Sequence, residues 1–237
     1  MIYYPIFLDV RGRRCLVVGG GREAQRKIGG LLAAGGQVTV IAPTLTRDLQ
    51  GLLAAGEIDL VQREYRAGDL EGYELCMVAT DDGAVNAEVA AEGKRLGVWV
   101  NAADDPANCD FILPAVIRRG AITIASSTGG ASPALARRLR EELEAYLTEE
   151  MPALADLLRE VRADLRSRGV TPDAEVWQKA IDEELRVLLA QRKYRQAKKR
   201  LLESLGAGEL VAELVGTDGV KSPQGRSAVP GDDGATG

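Results

Sequence analysis

The chain has 237 residues, of which 46% are hydrophobic and 27% charged, with a formal net charge of −5 and no histidine. That balance is ordinary for a globular protein with ample core material, and the acidic charge, without a basic block interleaved with aromatics, argues against a nucleic-acid partner. The missing histidine excludes Ser-His-Asp hydrolysis and histidine-ligated zinc, so acid–base chemistry falls to carboxylates, Lys, Tyr, Cys or water.

The opening "MIYYPIFLDV" has no basic n-region, so no secretory leader is expected. No apolar run approaches the roughly 20 residues of a membrane helix, and a cytoplasmic location without a membrane partner is the default expectation. "RCLVVGG" then reads as a strand, "REAQRKIGGLLAAG" as an amphipathic helix and "QVTVIAP" as a second strand. "IDLVQREY" and "YELCMVAT" follow as strands, "VNAEVAAEGKRLG" as a helix and "VWVNAADDP" as a fifth strand. Near-continuous apolar strands alternating with helices predict a parallel sheet covered on both faces. "DFILPAVIRRGAITIASST" breaks the rhythm as two short strands around Arg119-Gly120. Helices predominate afterwards, in "ALARRLREELEAYL", "MPALADLLREVRADLRSRG" and "DEELRVLLAQRKYRQAKKRLLESL".

The expected fold is therefore α/β: a Rossmann-type parallel sheet over 1–113, a β-rich hairpin with a long helix over 114–150, and a helical region over 151–215. Residues 216–237, rich in Gly, Ser, Pro and Asp, read as a disordered tail. Cys15 and Cys76 sit in apolar runs and read as small buried hydrophobes, whereas Cys109 lies in a polar loop. No CxxC occurs, and no permanent metal site is predicted.

Gly19-Gly20-Gly21-Arg22-Glu23-Ala24 fits GxGxxA between a strand and a helix. Gly19 would make the tight turn, Gly21 would admit a pyrophosphate, and the N–H groups near Arg22 and Glu23 would receive its phosphates. The acid expected at the end of the second strand is replaced by Ala42-Pro43-Thr44. Either backbone groups around Pro43 and the Thr44 hydroxyl hold the ribose, or there is no dinucleotide; NADP is left open. Thr80 and Asp81 end the fourth strand at the sheet edge where such folds bind ligands, and Asp81 or Asp82 also reads as a helix cap. Asn101, Asp104 and Asp105 end the fifth strand at the same edge. Either aspartate is a candidate base, against a turn role for Asp before Pro. "SSTGGASP" offers Ser127, Thr128, Gly129, Gly130 and Ser132 as an anion cradle, with Arg137 and Arg138 one turn beyond. Ser132 before Pro133 equally marks a capped helix start, and "QRKYRQAKKR" reads as a solvated helix face.

In their order and spacing, "YPIFLDVRGRRCLVVGGG", "VATDD", "NAADDPANCDFILPAVIRRG" and "SSTGGASPALARRLREELE" resemble the siroheme-synthase N-terminal family over roughly residues 1–150. Its members are precorrin-2 dehydrogenases, some also sirohydrochlorin ferrochelatases. The resemblance implies NAD as cofactor, precorrin-2 as substrate, sirohydrochlorin and Fe2+ for any chelatase step, and a homodimer built through the middle β-rich segment. It implies the stand-alone form, since no methyltransferase motif follows. It places the key catalytic carboxylate on Asp104, which would act as base or orient the substrate. It also implies that the acid-free end of the second strand is typical, and that Thr128 stands where the family often has serine. Arg118, Arg119, Arg137 and Arg138 are candidate partners for the substrate's carboxylates. A non-catalytic NAD-responsive module is the competing reading, as is a dehydrogenase of another substrate.

Overall fold

The computed structural model describes residues 3–102 and 106–216. Contacts divide the chain into two compact units: residues up to Pro114 with Gly129–Ala131, and Ala115–Thr128 with Ser132 onward.

The first unit is built on five parallel strands: β1 (Arg14–Val18), β2 (Gln37–Ile41), β3 (Ile58–Val61), β4 (Leu75–Val78) and β5 (Trp99–Ala102). They lie in the order β3-β2-β1-β4-β5. Alternate side chains of a strand point to opposite faces, and here both directions are apolar. Cys15 and Val17 of β1 enter one core with Val38, Val40, Leu75 and Met77. Leu16 and Val18 enter the other with Ile41, Cys76 and Val78. Cys15 and Cys76 are fully buried, as their apolar surroundings predicted, and burial pushes both thiols up.

Helix α1 (Arg22–Ala33) covers one face through Ala24, Lys27, Ile28 and Leu31, spaced at three and four residues. Helix α2 (Arg47–Ala54) was not foreseen from sequence. Its signals are local: the Thr46 hydroxyl accepts the Leu49 N–H at 3.3 Å, and Leu49, Leu52 and Leu53 turn toward the α1-side core. Between β3 and β4 the chain forms a loop and no helix, matching the two consecutive strands read there. The loop is held by Arg63 on Asp69 at 2.6 Å and by the Tyr65 hydroxyl donating to the buried Glu92 carboxylate. Helix α3 (Gly83–Leu96) is capped by Asp82, which accepts from Ala84 N at 2.8 Å, and ends at Gly97 with φ of 73°. A Cβ on Gly93 of α3 would overlap the Val100 side chain and stand 2.9 Å from the Val98 carbonyl oxygen.

In the second unit, β6 (Ala115–Arg119) and β7 (Ile122–Ser126) pair antiparallel, with Gly120 supplying a φ of 57° in the turn. Helix α4 (Pro133–Tyr146) packs on this hairpin and then α5 (Met151–Ser167) begins. The long helical pattern beyond resolves into α6 (Ala174–Ala180), α7 (Glu183–Ala190), α8 (Tyr194–Ser204) and α9 (Gly208–Gly216). One stretch read as continuous breaks between α7 and α8 at Arg192, whose φ is 59°. Leu157, Val161, Leu165, Leu185, Leu201 and Leu202 form the core. The basic run is more than a solvated face. Lys198 reaches Glu160 at 2.6 Å and Asp164 at 3.1 Å, and Arg200 pairs with Asp182 and Glu184. Half-buried pairs of this kind fix helix register more than they add stability.

Gly93→Ala should destabilise the protein by about 1–3 kcal/mol in urea unfolding, despite alanine's better helix propensity, because the α3–β5 contact has no room for a methyl group.

Candidate functional site

The order β3-β2-β1-β4-β5 reverses direction between β1 and β4, and open α/β sheets bind ligands where the strands' carboxyl ends diverge at that point. The glycine turn lies there. Gly19 has a φ of 118°, and a Cβ on it would overlap the Ala79 carbonyl oxygen just past β4. A Cβ on Gly20 would overlap the Thr44 carbonyl oxygen and come within 3.0 Å of the Ala42 side chain. The Gly20 carbonyl also accepts the Thr46 N–H at 3.0 Å. Gly20, a free position in the GxGxxA pattern, is thus as constrained as Gly19. The same contact accounts for the missing acid. Ala42 stands where the acid would, is 2% exposed and packs beside the turn, so the chain after β2 closes over Gly20.

Gly21 differs from its neighbours: a Cβ there meets nothing within 4 Å. It is the N-cap of α1 and no side chain caps that helix. Open space before an uncapped helix start, backed by two forced glycines, suits a pyrophosphate, which the first-turn N–H groups and the helix dipole would hold. Arg22 is exposed, and Glu23 is drawn toward Arg26 at 2.6 Å, which keeps its carboxyl below the usual range. Ala24, the motif's third small residue, is fully buried against the sheet. Pro43 and Thr44 are exposed on the same edge, as is Asp81. The Thr80 hydroxyl donates to Asn86 Oδ1 at 3.0 Å and accepts from Asp82 N at 3.3 Å, so it shapes the α3 start, and Asp82 rather than Asp81 is the cap.

Asn101, near the end of β5, turns into the protein. It is 7% exposed; its Oδ1 accepts from Lys27 Nζ at 2.6 Å and its Nδ2 donates to the Phe111 carbonyl at 2.9 Å. Two further exchanges run beside it. Asp110 N donates to Val100 O and Val100 N to Asp110 Oδ2, both at 2.8 Å. Ala102 N donates to Cys109 Sγ at 3.2 Å, and the thiol donates back to Ala102 O at 3.1 Å. Cys109, left open by the sequence, thus clasps the end of β5. Asp104 and Asp105 lie outside the described residues. Lys27 was missed, although its place on the apolar stripe between Ala24 and Leu31 was a readable signal.

In the turn before α4, Thr128 Oγ1 donates to Ser132 O and accepts from Ser132 N, both at 3.2 Å. Ser132 Oγ accepts the Leu135 N–H at 3.2 Å, the predicted cap before Pro133. Ser127, Gly129, Gly130 and Arg137 are exposed, and the two glycines have φ of 63° and 86°. Arg119 is committed to the Leu147 carbonyl and to Glu149 at 3.3 Å, and Arg138 to Glu142 at 2.7 Å. Among the described residues no group of three or more His, Cys, Asp or Glu is placed to hold a metal ion. No helix among them is long and apolar enough to cross a membrane.

Sheet order and glycine turn together define a dinucleotide-binding domain of the Rossmann class, joined to a hairpin-and-helix unit. Comparison with known proteins agrees. Residues 6–115 match a family described as putative NAD(P)-binding, and residues 119–146 one described as sirohaem biosynthesis protein central. A siroheme synthase of Methylococcus capsulatus is 42% identical over 209 residues, covering 87% of this chain and 44% of that protein. One of Tolumonas auensis is 39% identical over 224 residues, covering 91% and 47%. The chain therefore spans about half the length of the curated relatives it matches. A solved structure, SirC, precorrin-2 dehydrogenase, is 32% identical with a TM-score of 0.70, covering 84% of this chain and 100% of that one. The chain belongs to the precorrin-2 dehydrogenase family, the family of the siroheme-synthase N-terminal half.

Gly21→Ala should leave the unfolding midpoint nearly unchanged, because the methyl group meets open space. It should weaken NAD+ binding by about tenfold or more, read by titration calorimetry, if that space receives the pyrophosphate as the motif expects.

Proposed function

We propose that the protein is an NAD-dependent dehydrogenase that oxidises precorrin-2 to sirohydrochlorin. The observation that carries the reading is the glycine turn at the β1–β4 switch point, open only in front of Gly21, in a chain that matches a precorrin-2 dehydrogenase over that protein's whole length. Bound NAD supplies the hydride acceptor. The chain's own residues bind and orient. Gly19 and Gly20 fix the turn, and the N–H groups at Gly21, Arg22 and Glu23 hold the pyrophosphate. Pro43 and Thr44 meet the adenosine ribose with backbone and hydroxyl groups, and Thr80 and Asp81 border the nicotinamide side. Asn101 serves from within, by holding the end of β5.

Oxidation of the macrocycle also releases a proton, and Asp104 is the group we assign to receive it or to orient the substrate for its loss. Asp105 and the turn of Ser127, Thr128, Gly129, Gly130 and Ser132 are assigned to the substrate. With the Thr128 hydroxyl engaged by Ser132, the turn offers mainly backbone N–H groups, and Arg137 offers an exposed cation for a substrate carboxylate. Insertion of Fe2+ into sirohydrochlorin, with iron as substrate rather than resident cofactor, is the second activity proposed, Asp104 serving both. The reading carries with it a cytoplasmic location.

Dimerisation through the segment 114–150, with 151–215 as a separate helical domain, completes the proposal. Helix α4 has no buried residue in the single chain, with Leu135 50% and Tyr146 77% exposed, and Val116, Ile122 and Ile124 of the hairpin only half-buried. An apolar patch of this kind fits a second copy.

Protein incubated with precorrin-2 and NAD+ should yield the sirohydrochlorin spectrum together with NADH; no turnover beside an active control would overturn the assignment. Asp104→Ala should lose most of this activity while keeping NAD+ affinity, whereas near-normal rates would remove Asp104 from the mechanism. Sedimentation should give a dimer, and Leu135→Asp, altering only an exposed side chain, should shift it to monomer.

A further inference from the structure

Lys27 is 4% exposed, yet among the described residues no carboxylate bonds it. Its Nζ donates to Asn101 Oδ1 at 2.6 Å and to the Val78 carbonyl at 3.3 Å. Burial alone would make this a poor residue for folding: an ammonium taken from water costs several kcal/mol and is repaid only by good partners. A methionine would fill the same stripe of α1 more cheaply. The burial pulls the ammonium's pKa down, with Glu23 opposing that pull at longer range.

The position of the group gives it a use. Val78 is the last residue of β4, and the next residue, Ala79, is the one whose carbonyl oxygen excludes a Cβ from Gly19. Asn101 belongs to β5 and ties through its Nδ2 to Phe111. One ammonium therefore joins α1, whose first turn faces the open space at Gly21, to the carboxyl ends of β4 and β5. An ammonium presents donors only and so fixes the Asn101 amide with its oxygen toward α1 and its nitrogen toward Phe111. Among the described residues its hydrogen-bond partners are both neutral oxygens, so the charge is left without a bonded counter-ion there.

We propose that Lys27 is a positioning residue of the dinucleotide site, acting through Asn101 and the Val78 carbonyl to hold the glycine turn against the ends of β4 and β5 and to favour the anionic cofactor. The proposal rests on reading this edge as a dinucleotide site, but not on the identity of the reducing substrate.

The test is NAD+ titration calorimetry, well below the unfolding temperature, on the wild-type full chain, Lys27→Met, Lys27→Arg, Asn101→Ala and the Lys27→Met/Asn101→Ala double variant. The dissociation constant should rise about tenfold or more in Lys27→Met and in Asn101→Ala, and the double variant should be little worse than either single one. Lys27→Arg should recover part of the loss. The unfolding midpoint of Lys27→Met should stay near or above that of the wild type, because a buried charge has been removed. Affinity within about twofold of the wild type in Lys27→Met overturns the proposal, as does a loss that follows falling stability across the set. If Lys27→Met does not fold, Asn101→Ala decides by the same threshold. A wild-type chain that binds no NAD+ overturns the cofactor reading itself, a different result from a wild type that binds and a variant that binds equally well.

Discussion

The approach of two backbones at the switch point is the constraint on which the first unit depends. The chain leaving β1 passes so close to the end of β4 that Gly19 has no room for a side chain, and Gly20 is pressed in the same way by the chain after β2. Both contacts are made by backbone carbonyl oxygens, which cannot give way as cheaply as the end of a flexible side chain. The turn is therefore rigid, and the helix that follows starts with its N–H groups uncapped by any side chain. Rigidity and uncapped donors together suit an anion, and the cost of ordering them is met when the chain folds. The paired strand ends also set the place of everything else on this edge, from the Asp82 cap to the clasp of Cys109 on Ala102.

The second unit obeys a different rule. Its helical part has a leucine core of its own, and ion pairs from α8 to α5 and α7 set how those helices register. Its hairpin and α4 have no such core, and α4 buries no residue. A hairpin and one helix with half-exposed apolar faces are marginal alone and gain stability from a partner surface.

Much of this was legible in the sequence because β-branched runs and glycines act locally. β1, β2, β4 and β5, the hairpin about Arg119-Gly120 and the Ser132 cap all follow from short-range chemistry. The eight-residue α2 was too short to stand out between two strands. The break at Arg192 involves neither Gly nor Pro, so the pattern gave no punctuation there. The direction of the Asn101 side chain was not legible, because its position on the strand was visible but its partner was not. Whether such an amide faces solvent or core depends on Lys27, which is 74 residues away in sequence. The absent acid after β2 looked like a gap in a motif. The contact of Ala42 with the glycine turn makes it a packing requirement.

The central claim is that the edge bounded by Gly19, Gly21 and Ala79 is where the dinucleotide lies. A crystal structure with NAD+ bound tests it most directly. The account predicts the pyrophosphate against the N–H groups at the start of α1, in front of Gly21, with the adenosine ribose beside Pro43 and Thr44. A cofactor bound elsewhere, or a pyrophosphate making no contact with the α1 start, would contradict it.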